Sequence, residues 1–136
     1  MELKLPVILS SFDLERIDRL LEENNYRNTP YLDGLRHKMS RASVVQPQDV
    51  PEDVVIMNSR VQFVDDVSGN EYNLTLTYPG SAKAADTVSI LAPVGAALLG
   101  MSVGQSISWE VPGVRTLQLR VLGVACQAEL PDESSL

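Results

Sequence analysis

The first 45 residues contain two sets of apolar side chains at helical spacing. The sets are Leu14, Ile17 and Leu21, with Leu20 beside them, and then Leu32, Leu35 and Met39, followed by Ala42. Serine and threonine satisfy the free N–H groups at a helix start, and proline suits the first helical position. Ser10 or Ser11 therefore predicts a helix from about Asp13, and Thr29 followed by Pro30 predicts a second one. Two such helices joined by a short loop predict a helical hairpin.

From Val54 onwards the apolar period changes to two, which is typical of half-buried strands. The alternating sets are Val61 and Phe63; Tyr72, Leu74, Leu76 and Tyr78; Val88 and Ile90; Ile107, Trp109 and Val111; and Leu117, Leu119 and Val121. Turn residues separate them: Gly69, Pro79 with Gly80, and Pro112 with Gly113. This pattern predicts roughly five antiparallel strands. It also predicts one short helix from Pro93 to about Leu99, which Gly100 ends.

A proline-containing segment separates the two patterns. The stretch QPQDVPED, residues 46–53, contains two prolines and three acidic residues. Proline cannot continue a helix and pushes its predecessor towards extended geometry, so this segment is predicted to be a linker. The sequence thus predicts an α+β fold. It has a short antiparallel helical hairpin of coiled-coil type at 1–45, a hinge at 46–53, an antiparallel β body with one short helix at 54–128, and a flexible tail at 129–136.

Charge and composition narrow the class of protein. The 136 residues carry a net charge of −7, and residues 52–136 hold 10 acidic against 4 basic side chains. Phosphate binding needs clustered Lys and Arg, so strong direct binding of nucleic acid is not expected; a basic partner surface, or solubility alone, explains the acidity. The longest apolar run, residues 88–103, is shorter than the roughly 20 residues that span a bilayer. Because the N-terminus does not resemble a signal peptide and Cys126 is the only cysteine, we expect a cytoplasmic protein without membrane contact.

One stretch looks like a nucleotide-binding loop. GAALLGMS, residues 95–102, fills every fixed position of the pattern G-x-x-x-x-G-K-[ST] except the lysine, where Met101 stands. Methionine gives a phosphate no charge, and the stretch does not lie between a strand and a following helix. We therefore predict a short apolar helix that packs on the sheet, where its alanines allow close approach.

No catalytic residue, cofactor site or metal site is predicted. His37 is the only histidine. It lies off the second apolar stripe, so we expect it to face solvent, and Asp33 is its only candidate partner for a metal. Glu22 and Glu23 could hold Mg²⁺ near the end of the hairpin, but acids at a helix C-terminus are ordinarily solvated. Trp109 alternates with apolar residues, which favours a place in the core over a ligand platform.

Three segments carry a resemblance to a known family. They are SILAPVGAALLGMSVGQSISWEVPGV (residues 89–114), PEDVVIMNSRVQFVD (residues 51–65) and DLERIDRLLE (residues 13–22). Together they resemble the Gre transcript-cleavage factors, and within that family the short-armed regulators of nucleoside diphosphate kinase. The resemblance covers nearly the whole chain. It implies an FKBP-like body that binds bacterial RNA polymerase near its secondary channel, with Ala92, Pro93 and Val94 at the contact.

The tip of the hairpin departs from the Gre pattern. Gre factors hold two acids at the tip of a long coiled coil, where the acids help to bind a catalytic Mg²⁺. Here the tip comprises Asn24, Asn25, Tyr26, Arg27 and Asn28, with no carboxylate. The predicted helices rise only about 18–21 Å at 1.5 Å per residue. The resemblance therefore implies a monomeric polymerase-binding regulator that does not stimulate transcript cleavage and can compete with longer-armed factors.

Two other functions remain open at this point. The family name implies an effect on nucleoside diphosphate kinase, so the protein could act directly on a nucleotide-metabolising enzyme. An FKBP-like fold also raises prolyl isomerase activity by analogy. That chemistry needs an aromatic-lined pocket, and the body contains few aromatic residues: Phe63, Tyr72, Tyr78 and Trp109.

Overall fold

The computed structural model describes residues 7–23, 26, 29, 32–79, 86–111 and 115–126. Within these residues the chain forms three α-helices and seven strands. The helices are α1 (Ser11–Leu21), α2 (Asp33–Arg41) and α3 (Pro93–Leu98). The strands are β1 (Ile8–Ser10), β2 (Ser43–Val45), β3 (Ser59–Asp65), β4 (Glu71–Thr77), β5 (Thr87–Ser89), β6 (Ser106–Val111) and β7 (Arg115–Cys126). A 3₁₀ turn, Pro47–Asp49, lies in the predicted hinge.

The helical hairpin is shorter than predicted. Helix α1 is capped as expected, since the Ser10 hydroxyl accepts from the Asp13 N–H at 2.9 Å. The predicted start of the second helix at Thr29 is wrong: α2 begins at Asp33, and Leu32 is its N-cap. The Leu32 N–H donates to the Thr29 carbonyl at 3.0 Å, so a tight turn precedes the helix. With 11 and 9 residues, the helices rise about 16 Å and 14 Å.

A pair of short parallel strands joins the two ends of the hairpin. β1 precedes α1, β2 follows α2, and Ile8 pairs with Ser43. Residues 1–6 lie outside the described part of the chain. β2 was not predicted, because three residues are too few to show a period of two.

The main sheet is mixed, which corrects the prediction of an antiparallel body. Its order is β5-β4-β3-β7-β6, and β5 runs parallel to β4, with Thr75 beside Thr87. The other three pairings are antiparallel. Turn residues between the strands led us to expect antiparallel neighbours, but parallel strands need a connection that returns the chain to the starting end of the sheet. Local turn residues do not show that return.

One hydrophobic core receives side chains from the helical hairpin, the sheet and α3. Its largest fully buried side chains include Leu9, Ile17, Leu32, Leu35, Phe63, Leu76, Ile90, Leu98, Leu99 and Met101. The predicted arm thus packs on the predicted body, although their boundaries in the sequence remain a prediction. None of the helices in the described part of the chain has both the length and the apolar character that crossing a membrane needs.

Candidate docking site

The segment from β5 into α3 forms a tightly held surface loop. Ala92 is the N-cap of α3 in an extended conformation, and Pro93 occupies the start of the helix. The Ser89 hydroxyl accepts from the Leu91 N–H, and the Ser89 carbonyl accepts from the Ala92 N–H, both at 3.0 Å. Ala92, Pro93 and Val94 are half-buried, so each keeps part of its surface exposed. We call these three residues the docking loop.

The backbone geometry next to the docking loop requires glycine at two positions. A Cβ on Gly95 would collide with the Ser89 carbonyl oxygen, so only glycine allows the helix to approach β5 so closely. Gly100 has a φ of 81°, the left-handed conformation that ends many helices. Met101, at the position of the missing lysine, is fully buried. The prediction of a short packed helix ended by Gly100 is therefore confirmed.

Lys38 of α2 supports the C-terminal end of α3, a contact that we did not predict from the sequence. Its ammonium donates to the carbonyl oxygens of Ala96, Ala97 and Leu99 at 2.9, 2.7 and 2.7 Å. The ammonium also lies 5.0 Å from the centroid of the Trp109 ring. Only 6% of the Lys38 residue is exposed. The three donors of one side chain thus satisfy three carbonyls at the C-terminal end of α3, which the helix itself leaves without partners.

Two opposing effects act on the charge of Lys38. Burial lowers the pKa of Lys38 from 10.5 to about 7. The carbonyl oxygens carry the partial negative charge of a helix C-terminus and favour the ammonium form. The contact therefore joins helix α2 to the C-terminal end of α3 and holds a charge that is costly to bury.

Trp109 packs against the core, as predicted, and is half-buried. Its ring lies against Gly34 of α2, where an added Cβ would be 2.9 Å from the ring atom Cζ2. Glycine at position 34 therefore lets the hairpin approach β6 closely enough for Lys38 to reach both the ring and α3.

The residues that were considered as possible metal ligands do not form a site among the described residues. His37 is exposed, as predicted, and its Nε2 lies 3.5 Å from Nη1 of Arg41. Glu22, Glu23 and Asp33 are also exposed. Among the described residues, no group of three or more His, Cys, Asp or Glu side chains is placed to hold a metal ion.

Only one residue of the predicted arm tip is described. The Tyr26 carbonyl accepts from the Arg36 guanidinium at 2.8 Å, and the Leu21 carbonyl accepts from the same group at 3.1 Å. Arg36 therefore joins the end of α1 and Tyr26 to α2 through backbone carbonyls. The remaining tip residues, Asn24, Asn25, Arg27 and Asn28, lie outside the described residues.

Comparison with known proteins agrees with this architecture. Residues 50–125 match the C-terminal family of GreA/GreB transcription elongation factors, and residues 6–45 match the family described as the Rnk N-terminus. The regulator of nucleoside diphosphate kinase from Escherichia coli strain K12 is 44% identical over 124 residues, which cover 90% of this chain and 91% of that protein.

A solved structure shares the fold. The prokaryotic transcription elongation factor GreA/GreB from Nitrosomonas europaea is 41% identical, with a TM-score of 0.70 over 90% of this chain and 99% of that one. The elongation factor GreA of Chlorobium phaeobacteroides is 31% identical over 76% of this chain but only 62% of its own length. Since both parts of the sequence match and the similarity extends over nearly all of the chain, the protein belongs to the GreA/GreB transcription elongation factor family, in the group that has the Rnk N-terminus.

Proposed function

We propose that this protein is a non-enzymatic regulator that binds bacterial RNA polymerase near its secondary channel through the docking loop. It competes there with longer-armed Gre-type factors and does not stimulate transcript cleavage. Its effect on nucleoside diphosphate kinase and nucleotide metabolism follows from transcription in the cytoplasm. The body corresponds in this proposal to the FKBP-like domain of Gre factors.

The hydrogen bonding around the docking loop is the observation that carries the proposal. Two hydrogen bonds to Ser89 fix the turn, Pro93 fixes its own φ, and Lys38 holds the far end of α3. A protein surface that is already ordered loses little conformational entropy on binding. Ala92, Pro93 and Val94 also present small apolar groups rather than a charged or catalytic constellation, which suits a protein partner.

The short hairpin supports the second part of the proposal. Helices α1 and α2 extend about 16 Å and 14 Å, and Arg36 of α2 donates to the Tyr26 carbonyl. The tip sequence, residues 24–28, contains no carboxylate that could help to bind Mg²⁺. An arm of this length and composition occupies the entrance of a channel without supplying an acid to a distant catalytic centre.

Replacing Pro93 by glutamate tests the docking loop. A buried carboxylate without a partner is costly at an interface, so we expect Pro93→Glu to bind core RNA polymerase at least about tenfold more weakly than the wild type. The measurement is competition against a fluorescently labelled Gre-type factor, with circular dichroism to establish that the variant is folded.

Val67→Glu is the matched control, because Val67 is 67% exposed in the turn between β3 and β4, away from the docking loop. Equal affinities for the two variants would show that the docking loop is not part of the interface.

Transcript cleavage tests the second part of the proposal. On backtracked elongation complexes, the wild type should leave the rate of transcript cleavage unchanged, and acceleration would contradict the proposal. Capture of nucleoside diphosphate kinase without polymerase would favour direct action on the enzyme instead.

A further inference from the structure

A second exposed surface lies on helix α1, beside the end of β4. It consists of Phe12, Arg16 and Arg19 on the helix, with Tyr78 and Pro79 next to them, and we call it the arginine face. A shallow groove of about 280 Å³ runs between the helix and Tyr78, and Leu20 and Glu23 line it as well. Phe12 is 55% exposed, which is unusual for a large aromatic side chain. Arg16 and Arg19 are exposed as well.

Arg16 is ordered by aromatic rings. The central carbon of its guanidinium lies 4.4 Å from the centroid of the Tyr78 ring and 5.5 Å from that of Phe12. Stacking on ring faces fixes the plane of a guanidinium without using its N–H groups, whose five donors point outwards along the edge. The side chain is therefore held in place while its donors remain available.

Tyr78, which lies beneath Arg16, stays in one protonation state. The Asp13 carboxylate is buried and accepts from the Met57 N–H at 3.1 Å. Burial and the nearby Asp13 raise the pKa of Tyr78 to about 12, so the ring stays a neutral phenol. Burial raises the pKa of Asp13, while the Met57 N–H and the charge of Arg16 act against this by favouring the carboxylate.

The arginines of α1 differ from those of the sheet. Arg60 and Arg120 each form an ion pair, with Asp86 and Asp66 respectively, at 2.9 Å. Within the described part of the chain, neither Arg16 nor Arg19 forms an ion pair with a carboxylate. The protein has a net charge of −7, so two arginines without ion-pair partners beside an exposed aromatic ring are unusual in it.

The arginine face and the docking loop lie at the same end of the sheet. Strands β4 and β5 are parallel neighbours, and Thr77 is paired with Ser89. Tyr78 directly follows β4, while the turn that leads to the docking loop directly follows β5. The Ile90 N–H donates to the Thr77 carbonyl at 2.8 Å, which joins these two exits. A partner that covers the docking loop therefore lies close to the arginine face.

We propose that the arginine face is a second docking element, which takes an acidic segment of the same polymerase. Carboxylates of that segment accept from Arg16 and Arg19, and an apolar side chain next to them packs on Phe12. The identity of the partner rests on the proposed function. An acidic protein segment fits better than RNA, because it can place single carboxylates on Arg16 and Arg19, whereas the regularly spaced phosphates of RNA would also lie against Glu15, Asp18 and the two acids at the end of α1.

The test measures the affinity of the full chain for core RNA polymerase at several salt concentrations. Arg19→Glu is the principal variant, since Arg19 is exposed and its loss leaves the stack on Tyr78 intact. We expect about tenfold weaker binding. We also expect a shallower dependence of log affinity on log salt, because ion pairs are lost. Phe12→Ser should also weaken binding, whereas Arg19→Lys should keep most of the wild-type affinity.

Arg41→Glu is the matched control, with the same change of charge at an exposed position on α2. If Arg19→Glu binds as tightly as Arg41→Glu while Pro93→Glu binds weakly, the arginine face is refuted and the docking loop stands. If the wild type fails to bind polymerase, both proposals fall. If Arg19→Glu instead loses binding to a single-stranded RNA oligonucleotide and keeps its affinity for polymerase, the face is a nucleic-acid site and this proposal is overturned.

Discussion

Two cations of this protein lie on aromatic rings in opposite surroundings. Lys38 lies near Trp109 at the junction of α2 and α3, where it is 6% exposed and all three of its donors are used. Arg16 lies over the Tyr78 ring at an exposed position on the surface. Similar local chemistry therefore serves the fold at one place and remains available to a partner at the other.

Burial explains the difference in energy between the two. A buried ammonium loses its hydration and is tolerated only where other polar atoms replace the water, as the three carbonyls do for Lys38. Removing that side chain leaves the carbonyls without donors. An exposed guanidinium keeps most of its hydration, so its contacts with a ring contribute little to stability. The stability of variants should accordingly separate the two sites.

The largest effect is expected for Lys38→Ala. The three carbonyls at the end of α3 lose their donor and a cavity opens beside Trp109, so we expect the free energy of unfolding to fall by about 3 kcal/mol. Urea titration followed by circular dichroism measures it. Fluorescence should change as well, because Trp109 is the only tryptophan. Arg41→Ala, at an exposed position on the same helix, is the control. A loss no greater than that of Arg41→Ala would show that Lys38 does not support α3.

The next effect concerns pH and compares the wild type with Lys38→Met. The pKa of Lys38 is about 7 in the folded protein and 10.5 in the unfolded chain, so the unfolded chain binds more protons between these values. Stability of the wild type relative to Lys38→Met should therefore rise with pH from 7 towards 10, by up to about 1.4 kcal/mol per pH unit. Below pH 7 the difference should be constant. If the free energies of unfolding of the two proteins changed in parallel from pH 6 to 10, the carbonyls would be keeping the pKa of Lys38 near 10.5.

Much of the fold could be predicted because the spacing of apolar residues and the positions of proline and glycine depend on local structure. The period of two located β3, β4, β6 and β7, and Pro93 with Gly100 defined the ends of α3. The parallel pairing of β4 with β5 was missed, since turn residues show that a chain bends but not where it returns. The late start of α2 was missed because Thr29 and Pro30 have the composition of a helix start, whereas the helix begins at Asp33.

The contacts that support the candidate site were beyond local patterns. Lys38 lies 58 positions before Ala96, and no periodicity connects them. Its place three residues after Leu35, beside the apolar stripe of α2, was a usable signal: a charge next to a buried face needs a partner. The docking loop itself came from resemblance to a family, and its role in binding remains a proposal.

The smallest effect on stability is expected for Arg16→Ala. The substitution removes a stack on Tyr78 at an exposed position, so the free energy of unfolding should fall by no more than about 1 kcal/mol. The fluorescence of Trp109 should stay as in the wild type, because that ring contacts Lys38 and Gly34 on another helix. Urea titration monitored by both signals checks this. A loss as large as that of Lys38→Ala would mean that Arg16 mainly holds the buried Asp13 in the fold, and the contrast between the two cations would disappear.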